Sequence, residues 1–211
     1  MQSIGFVGLG VMGSVMAPLI PKAGFSVICF DKEACISESE NVRMASSLSD
    51  LAKCEMIVLM LPDGDVVTSV VKNLVDYCFA GLFIDMSSSH PATTLALSEY
   101  LTSRPGRLID APVSGGQKRA ALGSLTIMVG GNSNDIAEAK PLLTCFGDVS
   151  RVGPIGAGHA MKALNNYVSA AGLLSAMQAL ATAESFGITP QTFLSVINVS
   201  TGKNNSTEVK F

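Results

Sequence analysis

The chain has 211 residues, with 48% hydrophobic and 15% charged residues and a formal net charge of −3. That balance excludes a disordered chain, and an acidic chain is not a general electrostatic binder of nucleic acid. The length allows one generous domain or one and a half.

In chain order, "SIGFVG" (3–8) reads as a strand, "VMGSVMAPLIPKAG" (11–24) as a helix closed by Gly24, and "FSVICFD" (25–31) as a second strand. "EMIVLMLP" (55–62) is a third strand, stopped by Pro62, and "GLFIDMS" (81–87) and "RLIDAPV" (107–113) follow. Helices are predicted at 47–53, 64–77, 91–102 and 133–145, and further strands at 125–130 and 148–152. Several strands are apolar almost throughout, the pattern of strands covered on both faces of a parallel sheet. The predicted fold is therefore α/β, a Rossmann-type doubly wound, mainly parallel sheet over residues 1–154. Residues 155–211 are predicted to form a long Ala-rich helix to about Phe186, stopped by Gly187, and the start of an all-α domain. Thr189 and Pro190 open a further helix over 189–200. The tail "TGKNNSTEVKF" reads as polar.

Residues 163–183 carry no charge, close to the length needed to span a bilayer. Its Asn, Ser, Gln, Thr, Ala and Gly content reads instead as a buried helix of a soluble protein. No signal peptide is visible, and the expected location is cytoplasmic. Cys29, Cys35, Cys54, Cys78 and Cys145 show no C-x-x-C spacing and read as reduced thiols. With His90 and His159 the only histidines, no metal site is expected.

"GLGVMG" places Gly8, Gly10 and Gly13 in G-x-G-x-x-G spacing between a strand and a helix, with Asp31 ending the next strand. In that context the motif reads as a dinucleotide-binding fingerprint, the alternative being a glycine-rich turn without a ligand. Gly8 makes the tight turn, Gly10 admits the pyrophosphate, and Gly13 lets helix and strand pack closely. The helix start offers free N–H groups and a partial positive charge to phosphate. Leu9, Val11 and Met12 complete the loop. Asp31 would accept the adenosine ribose hydroxyls and repel a 2′-phosphate, favouring NAD; neighbouring Lys32 leaves NADP possible. Leu61, Pro62 and Val66 ("LPDGDV") and Ser88 ("MSSS") fall at carboxyl ends of strands, where ligands of open α/β sheets sit. Ser88 reads equally as a plain helix N-cap before Pro91.

"DAPVSGG" (110–116) can expose consecutive N–H groups and a hydroxyl at Ser114, Gly115 and Gly116, a nest suited to a carboxylate; it is also readable as an ordinary turn. Lys162 and Asn166 in "GAGHAMKALNN" (156–166) share a helix face, although Lys162 alone reads as well as a surface lysine. His159 reads as a polar residue at a helix terminus, without a catalytic role.

Four motifs, "GFVGLGVMGSVMA", "DMSSSHP", "DAPVSGGQKRAALGSLTIMVGG" and "GAGHAMKALNN", stand in an order that resembles the β-hydroxyacid dehydrogenase family. That family includes 3-hydroxyisobutyrate and 6-phosphogluconate dehydrogenases, and the chain looks more like the 3-hydroxyisobutyrate branch. The resemblance implies Lys162 as catalytic lysine, Asn166 and the Ser114–Gly116 loop as substrate-binding, and Leu61, Pro62, Val66 and Ser88 as cofactor contacts. It implies an NAD(P)-dependent oxidoreductase acting on a small carboxylic acid, without metal, nucleic acid or membrane. It also implies a homo-oligomer built through the long helix. Family members continue into a complete helical domain bearing a second functional lysine, which maps to no position here. The alternative expectation is therefore a cofactor-binding chain with impaired catalysis.

Overall fold

A computed structural model describes residues 2–211. The chain divides into two units, residues 1–162 and 163–211. The first unit begins with β1 (Ser3–Val7), α1 (Gly13–Met16), β2 (Ser26–Phe30), β3 (Val42–Met44), β4 (Met56–Leu59) and α2 (Gly64–Asp76). It continues through β5 (Leu82–Asp85), α3 (Pro91–Leu101), β6 (Arg107–Asp110), β7 (Val113–Ser114) and α4 (Gly116–Ala121). Then come β8 (Leu125–Gly130), α5 (Ser133–Leu143) and β9 (Gly147–Gly153). Helix α6 (Ala157–Ser185) begins in this unit and runs into the second, which adds α7 (Pro190–Ile197) and α8 (Asn205–Val209).

The strands form one sheet in the order β3-β2-β1-β4-β5-β6-β8-β7, with β9 beside β8. Pairing is parallel from β3 to β6 and between β8 and β9, and antiparallel at β6–β8 and β7–β8. The order reverses between β1 and β4, which opens the crevice that this class of sheet uses for ligands.

The apolar runs have a simple cause. Side chains alternate across a strand, so Ile4, Phe6, Met56, Val58, Leu82 and Ile84 join the core on one face. Val7, Ile57, Leu59 and Phe83 join the core on the other. Helices α1, α4 and α5 cover the first face through Met16, Ala120, Ile136 and Leu142. Helices α2 and α3 cover the second through Val67, Val71, Leu74 and Leu97. Full burial of each such side chain is worth about 1.5–3 kcal/mol, so neither face tolerates a polar stripe.

Several elements differ from the sequence-based expectations. The helix expected over 11–24 is α-helical only at Gly13–Met16 and continues as two 3₁₀ turns, Ala17–Leu19 and Pro21–Ala23. Pro18 and Pro21 lack the N–H an α-helix needs there. The 47–53 helix is a 3₁₀ turn, capped by Ser47 and Asp50. Strand β3 and helix α4 were not anticipated, being three and six residues long.

In the second unit, Thr189 caps α7 by accepting the Thr192 N–H. The polar tail forms α8, because Asn204 accepts the N–H groups of Ser206 and Thr207 while the Thr207 hydroxyl accepts that of Asn204. Ala176 and Ala183 of α6 are buried, but Leu164, Tyr167, Val168, Leu174 and Met177 are exposed. The 163–183 segment is thus not the buried helix its composition suggested. Among the described residues no helix is long and apolar enough to cross a membrane. All five cysteines are free.

Candidate active site

The glycine loop joins β1 to α1. Gly8 has φ +100°, and a Cβ on it would lie 2.2 Å from the Met60 carbonyl oxygen. A Cβ on Gly13 would lie 1.9 Å from the Gly8 carbonyl oxygen. Both positions exclude any side chain. Gly10 differs, since a Cβ there would meet nothing within 4 Å. Its bareness is not required by the packing, and what it leaves open is room outside the loop. Among the described residues the N–H groups of Gly10, Val11 and Met12 donate to no protein acceptor. A cavity of about 330 Å³ lies against this loop, lined by Gly8, Gly10, Met12, Asp31, Leu61 and Pro62 among others. Bare backbone, free N–H donors and adjoining space fit a pyrophosphate.

Asp31 directly follows β2, with its carboxylate fixed by the backbone. Oδ2 accepts the Leu9 N–H at 2.6 Å, and Oδ1 accepts those of Glu33 at 2.9 Å and Ala34 at 3.0 Å. Partial burial raises the pKa of this carboxyl, but the backbone donors at Ala34, Glu33, Leu9 and Lys32 outweigh it and hold the group below its usual range. Leu9 has its side chain in the core and its N–H on Asp31, so it serves the loop from within. Lys32 is exposed.

The three serines after β5 divide their work. Ser87 is buried; its hydroxyl accepts the Leu61 N–H at 2.9 Å and donates to the Leu59 carbonyl. Ser89 donates to Asp85. Ser88 alone is exposed. The N-cap of α3 is His90, whose Nδ1 accepts the Ala92 N–H, so the N-cap alternative for Ser88 falls. Val66 lies in the first turn of α2 and donates its N–H to the Asp63 cap.

On the far side of the sheet centre, Ser114 ends β7 and is half-buried, and Gly115 and Gly116 follow with φ +138° and +68°. Two left-handed residues in succession suit only glycine. They turn the chain into α4, where Arg119 Nε ties down the Ser124 carbonyl at 2.7 Å.

Lys162 lies in the second turn of α6. That helix start is fixed by Asp110 at the end of β6: Oδ1 accepts the Gly156 N–H and Oδ2 that of His159, both at 2.8 Å. The contacts around Gly158 permit no side chain, since a Cβ would lie 2.4 Å from the Met128 carbonyl oxygen. Lys162 is half-buried, and burial lowers the pKa of its ammonium. Asn166 is exposed and belongs to the second unit.

Sequence reasoning passed over a buried cluster. The His159 side chain is wholly inaccessible, between Asp85 at 3.8 Å and Asp110 at 3.7 Å. It is the helix-terminal polar residue expected, in the first turn of α6, and it is in addition a buried anchor. The signal available was the pair of aspartates ending two apolar strands, "FID" and "LID", in a core with few other charges. Burial pushes the Asp85 carboxyl up, opposed by His159 and by hydrogen bonds from Ser87 and Ser89.

The fold and the glycine loop define a dinucleotide-binding α/β protein. Residues 3–156 match the family model for the NAD-binding domain of 6-phosphogluconate dehydrogenase. Residues 156–211 match that for the NAD-binding region of NADP-dependent 3-hydroxyisobutyrate dehydrogenase. The chain is 34% identical to 2-(hydroxymethyl)glutarate dehydrogenase of Eubacterium barkeri, over 98% of this chain and 72% of that one. It is 33% identical to the mitochondrial 3-hydroxyisobutyrate dehydrogenase of Drosophila melanogaster, over 99% of this chain and 66% of that one. Among solved structures, the 3-hydroxyisobutyrate dehydrogenase of Mycobacterium tuberculosis with L-serine superposes with a TM-score of 0.91 at 32% identity, covering 97% of this chain and 72% of that one. The chain belongs to the β-hydroxyacid dehydrogenase family, the NAD(P)-dependent oxidoreductases related to 3-hydroxyisobutyrate and 6-phosphogluconate dehydrogenases. It spans about two thirds to three quarters of the length of these relatives.

Proposed function

We propose that this chain carries the cofactor site and the acid–base lysine of an enzyme that interconverts a small β-hydroxy acid and its semialdehyde. The carrying observation is the placement of Lys162. It is a half-buried lysine, one turn beyond the residue that Asp110 pins to the sheet's carboxyl end.

Residues 1–154 form the cofactor domain in this reading, and 155–211 the long helix and the start of a helical domain. The N–H groups of the Gly8–Gly13 loop hold the pyrophosphate, Asp31 the adenosine ribose, and Leu61, Pro62, Val66 and Ser88 the nicotinamide half. Bound NAD supplies the two-electron acceptor for oxidation, and its reduced form the donor for reduction. Asp31 favours NAD over NADP, because a carboxylate repels a 2′-phosphate.

The Ser114 hydroxyl and the backbone at Gly115 and Gly116 bind the substrate carboxylate. Lys162 Nζ, neutral, accepts the proton of the substrate hydroxyl during oxidation; as the ammonium it returns that proton to the carbonyl oxygen in reduction. Burial, by lowering the lysine pKa, enlarges the neutral fraction needed for the first direction. Asn166 orients the substrate oxygens. The substrates named in the relatives, 2-(hydroxymethyl)glutarate and 3-hydroxyisobutyrate, each carry a hydroxymethyl group on the carbon next to a carboxylate. L-serine has the same pattern. The substrate class proposed is thus a 2-substituted 3-hydroxypropionate.

The test is an NADH-linked assay over 3-hydroxyisobutyrate, 3-hydroxypropionate, glycerate, threonate, succinic semialdehyde and glyoxylate. Turnover concentrated in the 3-hydroxypropionate class supports the reading. NADH binding without turnover on any of them would leave a cofactor-binding chain and defeat it.

A further inference from the structure

His159 has no access to solvent, so it touches neither substrate nor cofactor. Yet its side chain and backbone connect five parts of the first unit. Nε2 lies 3.1 Å from the Ser87 carbonyl oxygen. That oxygen only accepts, so Nε2 carries a proton. Nδ1 lies 2.8 Å from the Thr94 hydroxyl on α3. The His159 N–H is held by Asp110 on β6. Asp85, 3.8 Å from Nε2, accepts in turn from the Ser87 N–H and the Ser89 hydroxyl. Ser87 then reaches the Leu61 N–H at the rim of the cavity beside the glycine loop.

The network therefore clamps both sides of exposed Ser88, supports Leu61, and fixes the helix that carries Lys162. It does not extend to Asp31 or the glycine loop, whose bonds are local to β1 and β2. Buried polar groups satisfied this fully hold one geometry, because each lost bond leaves a neighbour unpaired in a dry interior.

We propose that His159 is a positioning residue, which through Ser87 and Asp110 holds the Leu61 and Ser88 segments in register with the Lys162 helix and so preforms the nicotinamide half of the site. This rests on the dinucleotide reading above. The order reversal between β1 and β4 puts Asp31 on the adenosine side and the β4 and β5 ends on the nicotinamide side.

That division supplies the test. ADP-ribose carries the adenosine and pyrophosphate but not the nicotinamide. Calorimetric titrations of NADH and ADP-ribose are compared on the full chain, its His159→Leu and His159→Gln variants, and Thr94→Val as a milder change, each well below its melting temperature. For His159→Leu, NADH affinity is expected to fall about tenfold, with ADP-ribose within about twofold. Glutamine, which restores an N–H donor, recovers most of the NADH loss. Thr94→Val repeats the NADH-selective loss at about two- to threefold, and decides the matter should His159→Leu fail to fold. Parallel loss of both ligands, or loss of neither, overturns the proposal. Failure of the unaltered chain to bind either ligand would instead defeat the dinucleotide reading itself. Neither result depends on turnover.

Discussion

The backbone N–H of Leu9 donates to Oδ2 of Asp31 at 2.6 Å, so the acid just after β2 also holds the tip of the glycine loop. The carboxylate is oriented before any ligand arrives, and in the proposed cofactor site the one side chain would serve both loop shape and ribose recognition. Asp31→Asn keeps an acceptor but loses the charge. It should weaken NAD by about tenfold and narrow the preference over NADP, whereas Asp31→Ala should weaken both forms further. Titration of the two cofactors by fluorescence checks this.

The same carboxylate carries a pH signature. Its folded pKa is depressed, so its stabilising contribution is full above the unfolded value of about 3.9 and is lost as pH falls through the lower folded value. Thermal unfolding of Asp31→Asn between neutral and acidic pH should lose less stability on acidification than the unaltered chain does. Parallel curves would contradict the assignment.

Gly10 and Gly13 form a matched pair. At Gly13 an added Cβ would sit 1.9 Å from a backbone oxygen, but at Gly10 it would touch nothing. Gly13→Ala should therefore lower the melting temperature by several degrees or prevent folding. Gly10→Ala should leave melting within about 2 °C while weakening NADH about tenfold or more. Equal thermal effects would argue against the geometry of the loop.

Much of this was legible in the sequence because its causes are local. The strands declared themselves by unbroken apolar runs, and the structure shows Met56 and Val58 facing one core with Ile57 and Leu59 facing the other. The glycine spacing and Asp31 were legible for the same reason. Short elements were not. Strand β3 has three residues and gains its stability by pairing with β2, which no window of sequence reveals. Pro18 and Pro21 were visible but outvoted by the apolar pattern around them, and in the structure they break the helix. The roles of Ser87, Ser88 and Ser89 could not be separated from three identical letters; burial separates them. The buried setting of His159 was not legible, because its partners, Asp85 and Asp110, lie 74 and 49 residues away.

Helix α6 exposes Leu164 at 60%, Tyr167 at 73%, Val168 at 69% and Leu174 at 58%. An apolar face of this kind favours association. Light scattering after size exclusion should give at least twice the 21.9 kDa chain mass, and Leu174→Asp should shift the chain toward monomer. A well-behaved monomer at micromolar concentration would contradict the expected homo-oligomer.

The proposed reaction has Lys162 move the proton while the glycine loop holds the cofactor. Its most direct measurement compares the chain with Lys162→Ala for turnover of 3-hydroxyisobutyrate with NAD and for NADH affinity. Burial lowers the lysine pKa, so the neutral side chain of alanine should not reduce stability at neutral pH through lost charge. Turnover is expected to fall by about 10²–10⁴-fold or more, with NADH affinity changed less than about threefold. Turnover retained in Lys162→Ala, or lost only in step with NADH affinity, would contradict that reaction.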